Sequence, residues 1–323
     1  MNLTIGKTRR LQQCSTPDRM FVIAALDHRD DLRRILKPVE PESLSYLEMV
    51  AFKSELAHVL APVSSAILLD PEYGAAQAIA SGALPGNTGL IVTVEASGYE
   101  GDATNRRSAL LPEWGVDKVV RMGASAVKMR LYYHPGAKSA AKQEALVDEV
   151  VAACRAADMP LFLEPLSFPL SGKVKSLSSA EKREVVIETA RRLSTRGIDV
   201  LKAEFPLDGR EEPRRGEWEA ACAELTEASA VPWVLLSGGV SFKEFTAQTE
   251  IACRFGASGV LVGRAVWQEA VDLRNDAHDE FLNKTASERM VDLGDIVSEY
   301  GTPWTKYYPG TADEIGELWY EKY

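Results

Sequence analysis

Eight short apolar runs recur along the chain: 21–27 (FVIAALD), 64–70 (SSAILLD), 89–95 (GLIVTVE), 124–130 (ASAVKMR), 159–165 (MPLFLEP), 198–204 (IDVLKAE), 231–237 (VPWVLLS) and 258–264 (SGVLVGR). Each is rich in β-branched and aliphatic residues, the signature of a strand buried on both faces. Between them apolar residues return at helical spacing over 42–60, 139–157, 178–196, 213–229 and 241–254, and shorter helices are expected over 72–81, 112–121 and 264–273. Ser178 and Glu181 make the pattern of a capping box, and Gly256 stands where the helix over 241–254 should stop.

Eight strands, each followed by a helix, is the arithmetic of an α/β (β/α)8 TIM barrel. An open doubly wound sheet shares the alternation. The strand count, and the lack of a GxGxxG turn after the first strand, favour the barrel. The expectation is a single domain over 1–323, with the barrel at about 20–275 and a C-terminal helical extension over 276–323. The extension ends in aromatic residues (Trp304, Tyr307, Tyr308, Trp319, Tyr320, Tyr323) that would cover the barrel or a subunit interface.

A chain that is 46% hydrophobic and 26% charged has enough apolar mass for a core, which excludes disorder. No run of eighteen apolar residues predicts a membrane span, and the start lacks an apolar signal segment, so no membrane partner is expected. With 37 basic against 47 acidic residues, the net charge of −10 argues against a general nucleic-acid binder and makes any anion site local. Cys14, Cys154, Cys222 and Cys253 form no CxxC pair, and three of them fall in apolar helical patterns, so reduced core thiols and a cytoplasmic setting are expected.

In such a barrel, chemistry sits at the C-terminal ends of the strands. Here those ends carry Asp27, Asp70, Glu95, Lys128 and Arg130, Glu164, Lys202 and Glu204, Ser237 and Arg264. Alternation makes Val200, Lys202 and Glu204 share one face of their strand and Ala126, Lys128 and Arg130 one face of theirs; with both sets toward the barrel axis, several charges converge on one polar mouth. Lysines inside apolar runs are unusual, because a buried unpaired ammonium is costly. A desolvated lysine beside a second cation is the setting in which a neutral amine attacks a carbonyl to form a Schiff base. Glu164 and Asp27 would supply the carboxylates that such a reaction needs as acid and base. Ser237-Gly238-Gly239 and Gly263-Arg264 follow strands seven and eight, where barrels often hold phosphate on backbone N–H groups. Four histidines with no HxH or HExxH spacing give no zinc pattern, so no metal or other cofactor is expected.

The segments ALDHRDDLR (25–33), ILLDPEYG (67–74), the stretch from Gly98 and Tyr99 to Arg106, GASAVKMRLYY (123–133), FLEP (162–165), DVLKAEFP (199–206), PWVLLSGGV (232–240), GASGVLVGRAVW (256–267) and TPWTKYY (302–308) are familiar together. In them the chain resembles the class I tagatose-1,6-bisphosphate aldolase family and its relative, sulfofructosephosphate aldolase. The resemblance implies a metal-independent lyase with Lys202 as Schiff-base lysine and Glu164 as acid/base. It implies Asp27 and Lys128 beside the imine, with Ser237, Gly239, Gly263 and Arg264 holding the phosphate of the dihydroxyacetone phosphate half. By the same analogy, the enzyme is a homo-oligomer acting on a small sugar phosphate.

Two positions depart from the family pattern. His28 stands where Gln is usual, and Glu164 is followed by Pro165 where Glu-Ile is more frequent. The distal anion site is open among Arg29, Arg106, Arg107, Arg130, Lys173 and Lys175. Cleavage of a ketose 1,6-bisphosphate, tagatose 1,6-bisphosphate first, is the leading expectation. The alternatives are a sulfosugar phosphate giving sulfolactaldehyde, a phosphate-binding barrel isomerase, and a non-catalytic sugar-phosphate sensor.

Overall fold

The computed structural model describes residues 2–310, 315–321 and 323. The eight apolar runs form β1 (Phe21–Leu26), β2 (Ala66–Leu69), β3 (Gly89–Thr93), β4 (Ala126–Tyr132), β5 (Leu161–Leu166), β6 (Val200–Ala203), β7 (Trp233–Leu236) and β8 (Gly259–Val262). They pair parallel in chain order, and β8 closes on β1 through the register Phe21–Gly259 to Ala24–Val262. The barrel is therefore closed, and the open sheet is excluded.

Side-chain parity sorts each strand into two environments. Phe21, Ile23 and Ala25 of β1 join Ala66, Leu68, Ile91, Ala126, Phe162, Val200, Val234 and Leu261 in one buried cluster inside the barrel. The intervening residues, such as Val22, Ala24 and Leu26, pack outward into a second cluster against the helices. Continuing the inward parity toward the C-terminal ends leads to Asp27, Lys128, Glu164 and Lys202. The same row of positions is thus apolar at one end of the barrel and charged at the other.

The helices expected between the strands are present. The Ser178 side chain accepts from the backbone N–H of Glu181 while the Glu181 side chain accepts from that of Ser178, which fixes the start of Ser179–Leu193. The stretch 42–60 is broken at Ser45, whose own capping box with Glu48 starts the helix Tyr46–Leu60. The stretch 264–273 holds only Arg264–Trp267 as α-helix and continues as a 3-10 turn over Gln268–Asp272.

Two helices were not expected, Ile5–Cys14 and Asp30–Leu36. Both are short, and polar residues outnumber apolar ones in each, so neither stands out as an apolar stretch. The first closes the N-terminal end of the barrel. Leu3, Leu11 and Cys14 pack beneath the strands together with Trp304 and Tyr308 from the C-terminal extension. Lys7 Nζ pairs with Asp199 at 2.8 Å, and the Tyr308 hydroxyl donates to the Asp199 carbonyl at 2.7 Å. The extension runs through the helix Ser287–Tyr300, which packs on β1 and on the helix Phe242–Arg254. It covers the barrel end opposite the charged row. All four cysteines are free and buried. Among the described residues no helix is long and apolar enough to cross a membrane.

Trp304 is fully enclosed by this plug. Trp304→Ala is expected to cost about 3–5 kcal/mol of stability, read from urea unfolding.

Candidate active site

Lys128 sits at the centre of the charged row. Its Nζ lies 2.8 Å from Asp27 Oδ2, 2.8 Å from Glu95 Oε1 and 2.6 Å from Glu164 Oε2. The other oxygen of Glu164 is 2.6 Å from Lys202 Nζ. One carboxylate on β5 therefore bridges the lysines of the two strands that flank it, β4 and β6.

The two amines differ in their surroundings. Burial disfavours a charge on Lys128, but the carboxylates of Asp27, Glu164 and Glu95 outweigh it and hold the ammonium well above an ordinary lysine. Lys202 has one carboxylate neighbour within ion-pair distance. Burial would raise Asp27 and Glu164 as well. Lys128 and Lys202 reverse this and keep both carboxyls below their usual range, Asp27 well below it.

A cavity of about 90 Å³ opens onto this cluster and is lined by Asp27, His28, Asp31, Arg130, Glu164, Lys202, Ser237, Gly238, Gly263 and Arg264, with four apolar side chains. The turn after β7 is closed by the Val240 N–H donating to the Ser237 carbonyl at 3.1 Å. Gly239 does not line the cavity. It has φ +82°, and a Cβ there would stand 3.2 Å from the Arg264 guanidinium carbon, so glycine makes room for that side chain. No hydrogen bond to the Arg264 guanidinium is made among the described residues, leaving its donors for a bound anion.

His28 is packed edge-on against Trp267, with ring centroids 5.3 Å apart. Burial, reinforced by the charges of Arg264 and Lys202 and opposed by Asp27, pushes its imidazole down to about 3, so the ring is neutral at physiological pH.

The six distal-anion candidates separate. Arg130 lines the cavity, and its hydrogen bond to the Ala96 carbonyl is long at 3.4 Å. Its Nε has no hydrogen-bond partner among the described residues. The Arg106 guanidinium rests against the rings of Tyr99, Tyr132 and Phe168 at 4.8, 5.6 and 5.6 Å, and Arg130 stands over the same Tyr132 ring. Arg29 is spent elsewhere. It is buried, with NH1 on Glu72 Oε2 and NH2 on the Glu95 carbonyl, both at 2.7 Å, and it lies outside the cavity wall. It braces Glu95 rather than meeting a ligand. Arg107 faces Glu100, while Lys173 and Lys175 are exposed on the loop after β5 and do not line the cavity.

Glu204 does not share the site of Lys202. β6 ends at Ala203, and the Glu204 carboxylate turns to accept the Ser167 N–H at 2.7 Å. Asp70 pairs with Lys53 and caps the backbone of Glu72 and Tyr73. The strand-end pattern contained Glu95 without its role as the third carboxylate on Lys128. Asp31 went unmarked because it rides on the short helix Asp30–Leu36, beyond the strand. A larger groove of about 890 Å³ lies at the opposite barrel end, lined by Arg9, Ser64, Asn87 and Asp295 among others. It contains neither lysine, so size does not mark the site. Among the described residues no group of His, Cys, Asp and Glu is arranged to hold a metal ion.

The model of the DeoC/LacD family aldolases matches residues 21–269, the whole barrel. The chain belongs to that family. Over 94% of its length the aldolase is 31% identical to tagatose 1,6-diphosphate aldolase 2 of Streptococcus agalactiae serotype III (strain NEM316), covering 99% of that protein. It is equally similar, at 31% with the same coverage, to tagatose 1,6-diphosphate aldolase of Lactococcus lactis subsp. lactis. Its fold is similar to an archaeal fructose-1,6-bisphosphate aldolase whose catalytic Lys carries a carbinolamine intermediate, with TM-score 0.58 and 22% identity over 91% of this chain and all of that one. Plasmodium falciparum fructose-bisphosphate aldolase superposes with TM-score 0.69 at 12% identity, over 94% of this chain and 98% of that one. These two show the shared barrel alone.

Lys128→Met leaves three carboxylates without their shared ammonium and is expected to cost about 3–5 kcal/mol at pH 7. In the native aldolase Asp27 and Glu164 ionise below their ordinary range. The stability they contribute is present above the unfolded carboxyl value, about pH 4, and is lost as pH falls through their folded values. In the variant they take up protons more readily, so its deficit narrows between pH 7 and pH 5. Urea unfolding of both proteins at the two pH values checks this; a deficit that stays constant would contradict it.

Proposed function

We propose that the aldolase cleaves a ketose 1,6-bisphosphate through an imine on Lys202. The observation that carries the reading is the Glu164 bridge between an ammonium caged by three carboxylates and a lysine with one. Lys128 keeps its proton and supplies positive charge. Lys202, passing its proton to Glu164 or water, becomes the nucleophile. It adds to the C2 carbonyl, and Glu164 returns a proton to the carbinolamine oxygen so that water leaves. The iminium then accepts the electron pair of the C3–C4 bond while a carboxylate, Glu164 or Asp27, takes the C4 hydroxyl proton. Glyceraldehyde 3-phosphate departs, and the enamine is protonated at C3. Water then hydrolyses the imine to dihydroxyacetone phosphate and free Lys202. No step calls for a metal or a cofactor.

The names of the relatives support tagatose 1,6-bisphosphate as substrate. In this reading the C1 phosphate occupies the Ser237–Gly239 turn with Gly263 and Arg264, whose guanidinium is free to receive it. The C6 phosphate is drawn toward Arg130 and, beyond it, Arg106, both against Tyr132. The rings hold the Arg106 guanidinium in place before an anion arrives, which lowers the entropy lost on binding. The proposal takes residues 1–323 as one catalytic unit, working in the cytoplasm as a homo-oligomer.

Borohydride reduction in the presence of dihydroxyacetone phosphate, followed by peptide mapping, tests the reading. A reduced adduct on Lys202 is expected, and an adduct elsewhere, or none, overturns it. Lys202→Met is expected to lower turnover by at least ~10³-fold. Arg130→Met is expected to raise KM for the bisphosphate about tenfold or more, as loss of a charged hydrogen bond implies, while dihydroxyacetone phosphate still forms the adduct. Steady-state kinetics on both variants provides the measurement.

A further inference from the structure

Two polar groups in the cavity wall, Asp31 and His28, have no task in the scheme above, and His28 is the one with an unpaired buried nitrogen. His28 stands two residues after β1, and its ring orientation is fixed from two sides. Trp267 packs on it edge-on, and Trp267 is itself tied down by donating its Nε1–H to the Ala25 carbonyl at 3.2 Å. Across the cavity edge stands Gly263, where a Cβ would meet the imidazole Cε1 at 2.7 Å and Nε2 at 3.4 Å. The glycine at the end of β8 thus admits this ring. Yet the Nδ1 of His28 is buried without a hydrogen-bond partner among the described residues. A buried nitrogen left unpaired costs about 1–3 kcal/mol, and a phenylalanine ring would fill the same space without that cost. Such an orphan beside a reacting lysine points to a partner on the ligand.

We propose that His28 is a positioning residue that hydrogen-bonds the ketose C3 hydroxyl, beside the imine carbon, and so selects which C3 hydrogen is exchanged. The inference rests on the imine reading. Dihydroxyacetone phosphate has three polar groups. The phosphate is taken by the β7 and β8 turns, and the carbonyl carbon by Lys202. The C3 hydroxyl remains, and His28 shares one cavity with both Lys202 and Arg264. The groups that act on its ring are Asp27, Arg264, Lys202 and Lys53, and the net effect keeps it uncharged. A neutral imidazole offers one donor and one acceptor, which suits a hydroxyl. It adds no charge to compete with Arg264 for the phosphate.

The test is the exchange of C3 hydrogens of dihydroxyacetone phosphate with deuterium in solvent, followed by NMR without any aldehyde. The wild type is expected to exchange one of the two hydrogens only. His28→Phe, and His28→Leu as a second apolar variant, are expected to exchange roughly 10- to 100-fold more slowly and to lose the preference. His28→Gln retains a donor and an acceptor and is expected to stay within about fivefold. Borohydride adduct formation on Lys202 in each protein reports separately on the imine. If the wild type forms no adduct, the underlying reading fails. If adducts form but His28→Phe exchanges the same hydrogen at the wild-type rate, the proposal alone falls. Equal losses in His28→Phe and His28→Gln would assign the ring a packing role and overturn it. So would unaltered exchange with slowed cleavage, which would place His28 on the aldehyde half. On the wild type itself, the ring-nitrogen NMR signals absent from His28→Gln should move when dihydroxyacetone phosphate is added. Unmoved signals would contradict the contact.

Discussion

A carboxylate shared by two buried lysines governs the organisation of this barrel. Charges removed from water are tolerated only when opposite charges replace the lost hydration. Glu164 can lie between Lys128 and Lys202 because both neutralise it, and Lys128 can be wholly enclosed because Asp27 and Glu95 complete its surroundings. The arrangement is unequal by construction. The lysine with three carboxylates is held as a cation. The lysine with one is left close to the proton acceptor that an amine nucleophile requires. The supporting pairs, Arg29 with Glu72 and Lys53 with Asp70, extend this logic outward and keep the strand ends from moving apart.

The two ends of the barrel divide the labour. At the N-terminal end the inward positions are apolar, and the helix Ile5–Cys14 and the aromatic residues of the extension close them off. At the C-terminal end the same parity delivers the ionisable groups. Trp304 and Tyr308 therefore belong to stability, while Arg130 on β4 and Ser237 and Arg264 after β7 and β8 line the cavity at the other end.

Much of this could be read in the chain. The strands were legible because eight short aliphatic runs recur, seven of them with a charged residue at or near the C-terminal end. Lys128, Lys202, Glu164 and Asp27 were legible because inward parity continues through them. Arg29 and Glu204 were not. A charge next to a strand end turns inward or outward according to where the strand stops and which neighbour claims it, and Glu72 and the Ser167 N–H are neighbours only in space. Asp31 and the helix Ile5–Cys14 carried no apolar signal of their own, since packing decided them. The family resemblance ran over essentially the whole chain, but the departure at His28 gained meaning only beside Trp267 and Gly263.

The Lys128 cage draws on β1, β3, β4 and β5, and its link to Lys202 adds β6. No half of the barrel contains it. A chain halted after β4 would hold Asp27, Glu95 and Lys128 with one anion in excess, and would lack both the bridging carboxylate and Lys202. The site therefore comes into being at closure, when the last strands dock beside the first. Catalytic competence in this aldolase is a property of the finished ring, and an ancestor built from two separate half-barrels could have acquired this chemistry only after they joined.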